Sequence, residues 1–200
     1  MHKAISRDCI TLVKYKDRDV LPITPERYKR IMIVHVKGAE SGMGMLMKAM
    51  GMGGGKNPAE MLKERLCEKG FDAFIYESPR DAMKKQIAAG EKPNINLYFA
   101  GKNAIDDFVS GMDLVITLCD VSSGRPSFGL SKGGGEIPWY VFELPVVVIG
   151  CGQPTMLADV PQARTYINTY DAKPATFDAL VDDLMAGPDA FKGRDPIDSF

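Results

Sequence analysis

The sequence predicts an α/β protein, a doubly wound three-layer α/β/α sandwich built on a mostly parallel sheet. Three observations carry that expectation. Short, nearly continuous apolar runs of strand length, such as Ile31 to Val36, Asp113 to Cys119 and Val146 to Gly150, call for cover on both faces. They alternate with helix-like segments that open on proline and close on glycine. The length of 200 residues, 45% of them hydrophobic and 26% charged, suits one core with an extension and leaves no room for a second catalytic-size domain.

The elements follow in chain order. Residues 1–29 are expected to form a linker-like extension with a helix and a short strand. Ile31 to Val36 is β-branched and too short for a helix, so it reads as a buried strand. Gly38 to Lys56, rich in glycine and methionine, reads as a long loop enclosing a helical turn near Met45 to Met50. Asn57 caps and Pro58 opens a helix to about residue 69, with Met61, Leu62, Leu66 and Cys67 as its apolar stripe and Gly70 as its stop. Phe71 to Tyr76 is the next strand. A helix runs from Pro79 to the Gly90 stop, and Asn103 to Val109 has helical character. Asp113 to Cys119 is a strand, Glu136 to Glu143 is helix-like, and Val146 to Gly150 and Thr165 to Tyr170 are strands. A helix from Pro174 to Met185, closed by Gly187 and Pro188, ends the series.

A net charge of −1, from 25 basic and 26 acidic residues, gives nucleic acid or an anionic membrane no electrostatic handle. The apolar runs fall far below the ~18 residues needed to span a bilayer. The opening Met1 to Asp8 meets charge before any apolar stretch, unlike a secretory signal. The four cysteines lack the paired spacing of a zinc site, and three sit in or beside apolar segments, where buried thiols are expected.

Several motifs invite chemistry. Gly42-Met43-Gly44 follows a strand, as a dinucleotide fingerprint would, but Met47 stands where a third small residue is needed and no tight strand-to-helix turn follows. No phosphate loop is present, and no cofactor is expected. Cys151, directly after a strand, has the placement of a nucleophile but no partner base, because the chain holds only His2 and His35. His35, between two valines, reads as a satisfied strand histidine. Asp120 lies at a strand end, where open α/β sheets collect ligands. The polar loop Val121 to Gly135 that follows carries Arg125, Ser122 and Ser123. Two readings of it stay open, a surface connector or a loop that contacts a polar ligand such as a sugar, or a neighbouring domain.

The two ends of the chain carry a resemblance. His2-Lys3-Ala4-Ile5-Ser6-Arg7-Asp8-Cys9-Ile10-Thr11-Leu12-Val13-Lys14, with Leu21-Pro22-Ile23, resembles the opening of the carboxy-terminal domain of family 3 glycoside hydrolases. Leu144-Pro145-Val146-Val147-Val148-Ile149-Gly150, Gln153-Pro154, Tyr166-Ile167-Asn168-Thr169-Tyr170 and Phe191-Lys192-Gly193-Arg194-Asp195-Pro196-Ile197-Asp198 look like the bacterial β-N-acetylglucosaminidase (β-N-acetylhexosaminidase) branch. Only Gly38 to Lys56 matches no motif of the family. The resemblance implies a parent enzyme in which an amino-terminal (β/α)₈-like catalytic barrel precedes this domain and β-linked sugars are hydrolysed with retention. It implies a nucleophilic aspartate on the barrel and, in this branch, a histidine–aspartate acid/base pair on a barrel loop. The β-glucosidase branch takes its acid/base glutamate from the loop corresponding to Val121 to Gly135, which here contains none.

Retaining hydrolysis needs two carboxyl-type groups about 5–5.5 Å apart, and one strand-end carboxylate cannot fill both roles. The expectation is therefore a non-catalytic domain that packs on the barrel and shapes its carbohydrate site, with Asp120, Ser122, Ser123 and Arg125 nearest the sugar. The competing expectation is a free-standing flavodoxin-like module for a nucleotide or flavin. The methionines from Met43 to Met52 suit either core filling or an apolar docking face, and the second reading implies weak self-association of the isolated chain.

Overall fold

The computed structural model describes residues 8–37, 57–77, 79–92, 110–120, 130–131, 137–138 and 144–196. The strands are β1 (Thr11–Tyr15), β2 (Arg30–Lys37), β3 (Asp72–Ile75), β4 (Leu114–Asp120), β5 (Leu130–Ser131), β6 (Ile137–Pro138), β7 (Val146–Gly150) and β8 (Thr165–Asn168). The α-helices are α1 (Pro58–Glu68), α2 (Pro79–Ala88) and α3 (Pro174–Ala186), with short 3₁₀ turns at Pro154–Asp159 and Pro188–Ala190. A six-stranded sheet has the order β1-β8-β7-β4-β2-β3. Every neighbouring pair in it is parallel except β1 with β8, which is antiparallel. The expected mostly parallel α/β sheet is thus the fold.

Alternation along the strands divides the interior in two. Ile31, Ile33, Leu114, Ile116, Leu118, Val147, Ile149 and Ile167 face a core shared with α1 and α3. Met32, Val34, Val36, Val115, Cys119, Val148 and Tyr166 face a second core with Met156, Leu157, Val160 and Ala163. Residues on both faces are buried, which is why these strands read as unbroken apolar runs rather than as alternating ones. Each half-core is a continuous patch of β-branched and aliphatic groups removed from water.

The helix signals act as expected. Asn57 Oδ1 accepts a hydrogen bond from Ala59 N at 3.1 Å, satisfying one of the free donors at the start of α1, and Pro58 occupies the first turn. Gly70, with φ of +92°, closes the helix while its N–H and that of Phe71 donate to the carbonyls of Cys67 and Leu66. The buried stripe is Ala59, Met61, Leu62 and Leu66, whereas Cys67 is exposed. Including Cys67 in the stripe was an error of phase, since one residue beyond Leu66 turns the side chain by about 100°. On the sheet, α1 meets α3, and Arg65–Asp178 at 2.5 Å and Lys69–Asp182 at 2.6 Å link the two helices. These pairs lie at the water-exposed seam, so apolar packing beneath them supplies most of the attraction.

Two further features depart from expectation. Where Glu136 to Glu143 reads as helix-like, Ile137–Pro138 is a two-residue strand paired in parallel with Leu130–Ser131. The proline ring disfavours helical backbone at the residue before it, and Ile137 is β-branched as well. The described part of the amino-terminal stretch also does more than link, because Ile10, Val20, Leu21, Ile23 and Tyr28 are buried in the core of the α1 and α3 face. There β1 forms the sheet edge, tied by Tyr170 Oη to Thr11 Oγ1 at 3.1 Å and covered by Gly193, whose N–H donates to Ile10 O at 3.0 Å. The helix expected at Asn103 to Val109 and the loop expected over Gly38 to Lys56 lie outside the described residues.

Candidate functional site

The strand order creates the site before any side chain is considered. From β2 the chain crosses to β3 on one side and then returns past β2 to β4 on the other. The strand order therefore reverses between β2 and β4, and it is beyond the carboxyl ends of the strands at such a switch point that doubly wound sheets bind ligands in a crevice. The β2–β4 register ends on Lys37 opposite Asp120, so Asp120 stands at the carboxyl end of β4, at this switch point.

Asp120 and His35 share a sheet face, the one that carries Ile33 and Leu118 into the core below α1 and α3. The Asp120 carboxylate is 32% exposed, and its Oδ2 lies 3.8 Å from Nε2 of His35, whose side chain is only 6% exposed. That separation is too long for a direct hydrogen bond. Nε2 is buried with no hydrogen-bond partner among the described residues. Among the described residues, then, Nε2 lacks the partner that a satisfied strand histidine would have, and a buried ring nitrogen faces a half-open carboxylate. The closeness of His35 to Asp120 is concealed in sequence because 85 positions separate the pair, and only the parallel pairing of β2 with β4 brings the two strand ends together.

The neighbouring strand ends are occupied by closed structural networks. After β7, Cys151 is buried and its thiol is pushed up to about 12 by burial, against which a hydrogen bond with Thr169 acts weakly. Burial drives the Cys119 thiol up as well. Neither sulfur forms a thiolate at neutral pH, so Cys151 is not a nucleophile despite its position after a strand. The Thr169 hydroxyl lies 2.8 Å from Asp171 O and 3.4 Å from Cys151 Sγ. On the opposite face Tyr166 Oη donates to Asn168 Oδ1 at 3.0 Å, and Asn168 Nδ2 donates to Pro154 O at 3.3 Å. Burial also raises the Tyr166 hydroxyl far above its ordinary value, keeping it a donor.

A labelling experiment checks this division of the thiols. Under native conditions near pH 8, a disulfide reagent should titrate Cys9 and Cys67 rapidly, because both are exposed, and Cys119 and Cys151 only after denaturant is added. Rapid native labelling of all four would contradict the burial described here. Because only two of the four cysteines are buried, the expectation of three buried thiols is corrected.

Of the residues singled out in sequence, the structure places Asp120 at the carboxyl end of β4, at the switch point. Ser122, Ser123 and Arg125 lie outside the described residues, as do Gly42-Met43-Gly44 and the methionines from Met43 to Met52. Among the described residues no helix is long and apolar enough to cross a membrane.

Comparison with known proteins follows the same lines. No family model matches the chain. Along its whole length the chain is 29% identical to a β-N-acetylglucosaminidase/β-glucosidase of Cellulomonas fimi, of which it spans 32%. Among solved structures, β-glucoside phosphorylase BglX superposes with a TM-score of 0.69 at 26% identity, over 99% of this chain and 31% of that one. A glycoside hydrolase family 3 β-N-acetylglucosaminidase from Paenibacillus sp. str. FPU-7 shares the fold, with a TM-score of 0.54 at 14% identity over 93% of this chain and 31% of that one. The chain is thus homologous to the Cellulomonas enzyme from end to end, and its fold is that of family 3 carboxy-terminal regions. It spans about a third of the length of these relatives.

Proposed function

We propose that this chain works as the non-catalytic carboxy-terminal domain of a retaining β-glycosidase of the β-N-acetylhexosaminidase type, packing on a catalytic (β/α)₈-like barrel and shaping its carbohydrate site. The observation that carries the reading is the whole-chain homology to one third of an enzyme whose name joins β-N-acetylglucosaminidase and β-glucosidase activities. The chemistry of the switch point is in keeping with it. Asp120 offers one carboxylate, Cys151 is held as a neutral thiol, and His35 lies behind Asp120 rather than in the open. A carboxylate at a strand end accepts hydroxyl hydrogen bonds well and does not by itself provide an acid and a nucleophile. In this reading Ser122, Ser123 and Arg125, from the loop that follows Asp120, complete the sugar contacts of the domain. The Arg125 guanidinium suits hydroxyl or acetamide oxygens because it presents paired donors.

The test is an assay of the purified 200-residue chain on 4-nitrophenyl β-N-acetylglucosaminide and 4-nitrophenyl β-glucoside. It is run with and without inorganic phosphate, since one structural relative is named a phosphorylase. Release of nitrophenol should stay at the blank rate with either acceptor. Robust turnover of any of these substrates by the chain alone would overturn the assignment of the chemistry to a separate barrel.

A further inference from the structure

The contact between His35 and Asp120 is half made. The imidazole is buried, its Nε2 meets no hydrogen-bond acceptor among the described residues, and the nearest carboxylate oxygen stops at 3.8 Å. Leaving a buried donor unsatisfied is unfavourable, and native structures rarely keep one without a use. Asp120 meanwhile is 32% exposed and stands where the strand order of the sheet reverses. A shift of the carboxylate by about 1 Å brings Oδ2 within hydrogen-bond distance of Nε2. Such contacts are often long in an empty site and tighten when ligand arrives.

We infer that His35 is a positioning residue for Asp120, and that the pair forms a binding element for the hydroxyl groups of a neutral polyol. The inference rests on reading this switch point as part of a sugar site. A hydroxyl donating to the exposed oxygen of Asp120 orients the carboxylate, and the second oxygen then accepts from Nε2–H of His35. The ligand gains a charge-assisted acceptor already held in place, and the buried imidazole gains the partner it lacks. The carboxylate selects against anionic ligands.

The chain itself offers a clean probe, because His2 and His35 are its only histidines. Two imidazole Cε1–H signals are therefore expected by NMR, and a His2→Gln variant assigns them. Titration with methyl β-glucoside and with N-acetylglucosamine should move the His35 signal saturably and leave the His2 signal in place. Removing the donor with His35→Leu should weaken binding about tenfold. His35→Gln, whose amide nitrogen can reach the position of Nε2, should bind within about twofold of the parent chain. Thermal melts of both variants confirm that they are folded. Equal affinity in the two variants, whether both weakened or both unchanged, would overturn the positioning role, and so would a His35 signal that does not respond to either sugar. A silent titration in a chain that also turns over no glycoside removes this inference and leaves the domain assignment standing, whereas turnover removes the domain assignment itself.

Discussion

Phe177→Ala should lower the stability of the domain by about 3–5 kcal/mol, the usual loss when a fully buried aromatic ring is truncated. Phe177 is 0% exposed on α3, in the same core as Leu62 and Leu66 of α1 and as Ile116 and Ile149 of the sheet. Two contributions add. The transfer free energy of the ring is lost, and a cavity remains because α3 is pinned at both ends, at its start by Pro174 and by the Asp171 carboxylate, which accepts from Lys173 N and Thr176 Oγ1, and at its finish by Gly187, with φ of +103°. A domain of ordinary stability holds only about 5–15 kcal/mol in total, so the variant should unfold at much lower denaturant. Urea unfolding followed by circular dichroism measures the effect. A loss below about 1 kcal/mol would mean that α3 is not anchored in the core by this ring.

Gly150→Ala should be strongly destabilising, with a loss of about 2–4 kcal/mol. A Cβ at Gly150 runs into the hydroxyl of Tyr166 and stands 2.8 Å from Asn168 Oδ1. Neither neighbour can withdraw freely. Tyr166 is completely buried and its hydroxyl donates to Asn168, which in turn donates to Pro154 O. Relief requires breaking that chain of hydrogen bonds inside the core, which leaves polar groups unsatisfied. The double variant Gly150→Ala, Tyr166→Phe removes the colliding hydroxyl and should recover part of the loss. If melting temperatures show the two substitutions to be additive, steric collision with that hydroxyl is not the reason for the glycine.

How much of this was legible in the sequence varies element by element. The strands β2, β4 and β7 announce themselves because burial on both faces permits unbroken runs such as Val146 to Ile149, and α1 and α3 because proline, asparagine and glycine mark their ends. The partnering of β1 is harder to read. Thr11 to Tyr15 is a half-buried strand whose register shifts between Leu12 and Lys14, so its alternation is blurred, and its partner β8 lies near the far end of the chain. At Ile137 and Pro138, the described part of the stretch Glu136 to Glu143, the helical expectation fails for a local reason, the proline after Ile137. At the site, a strand-end aspartate is visible from sequence, since the apolar run Leu114 to Cys119 stops at it. The importance of His35 is not visible, because its environment depends on which strand lies beside it. The parallel pairing of β2 with β4 places His35 two residues below the level of Asp120, and strand order is what apolar patterning does not carry.

The antiparallel edge strand has a kinetic consequence. The parallel strands β2, β3, β4 and β7 can join in the order in which the chain presents them, but β1 has no sheet partner until β8 is in place. The hydrogen bond between Tyr170 and Thr11 spans 159 residues. Closing so long a loop is only modestly worse in entropy than closing one of half the length, about 0.6 kcal/mol per doubling, so the strand is not weakly held once docked. Its arrival is late instead, since contacts of such sequence separation are the slow ones to form. Until then the outer edge of β8 stays unpaired, a bare strand edge open to the wrong partner. The first strand of the domain is thus the last to find its place.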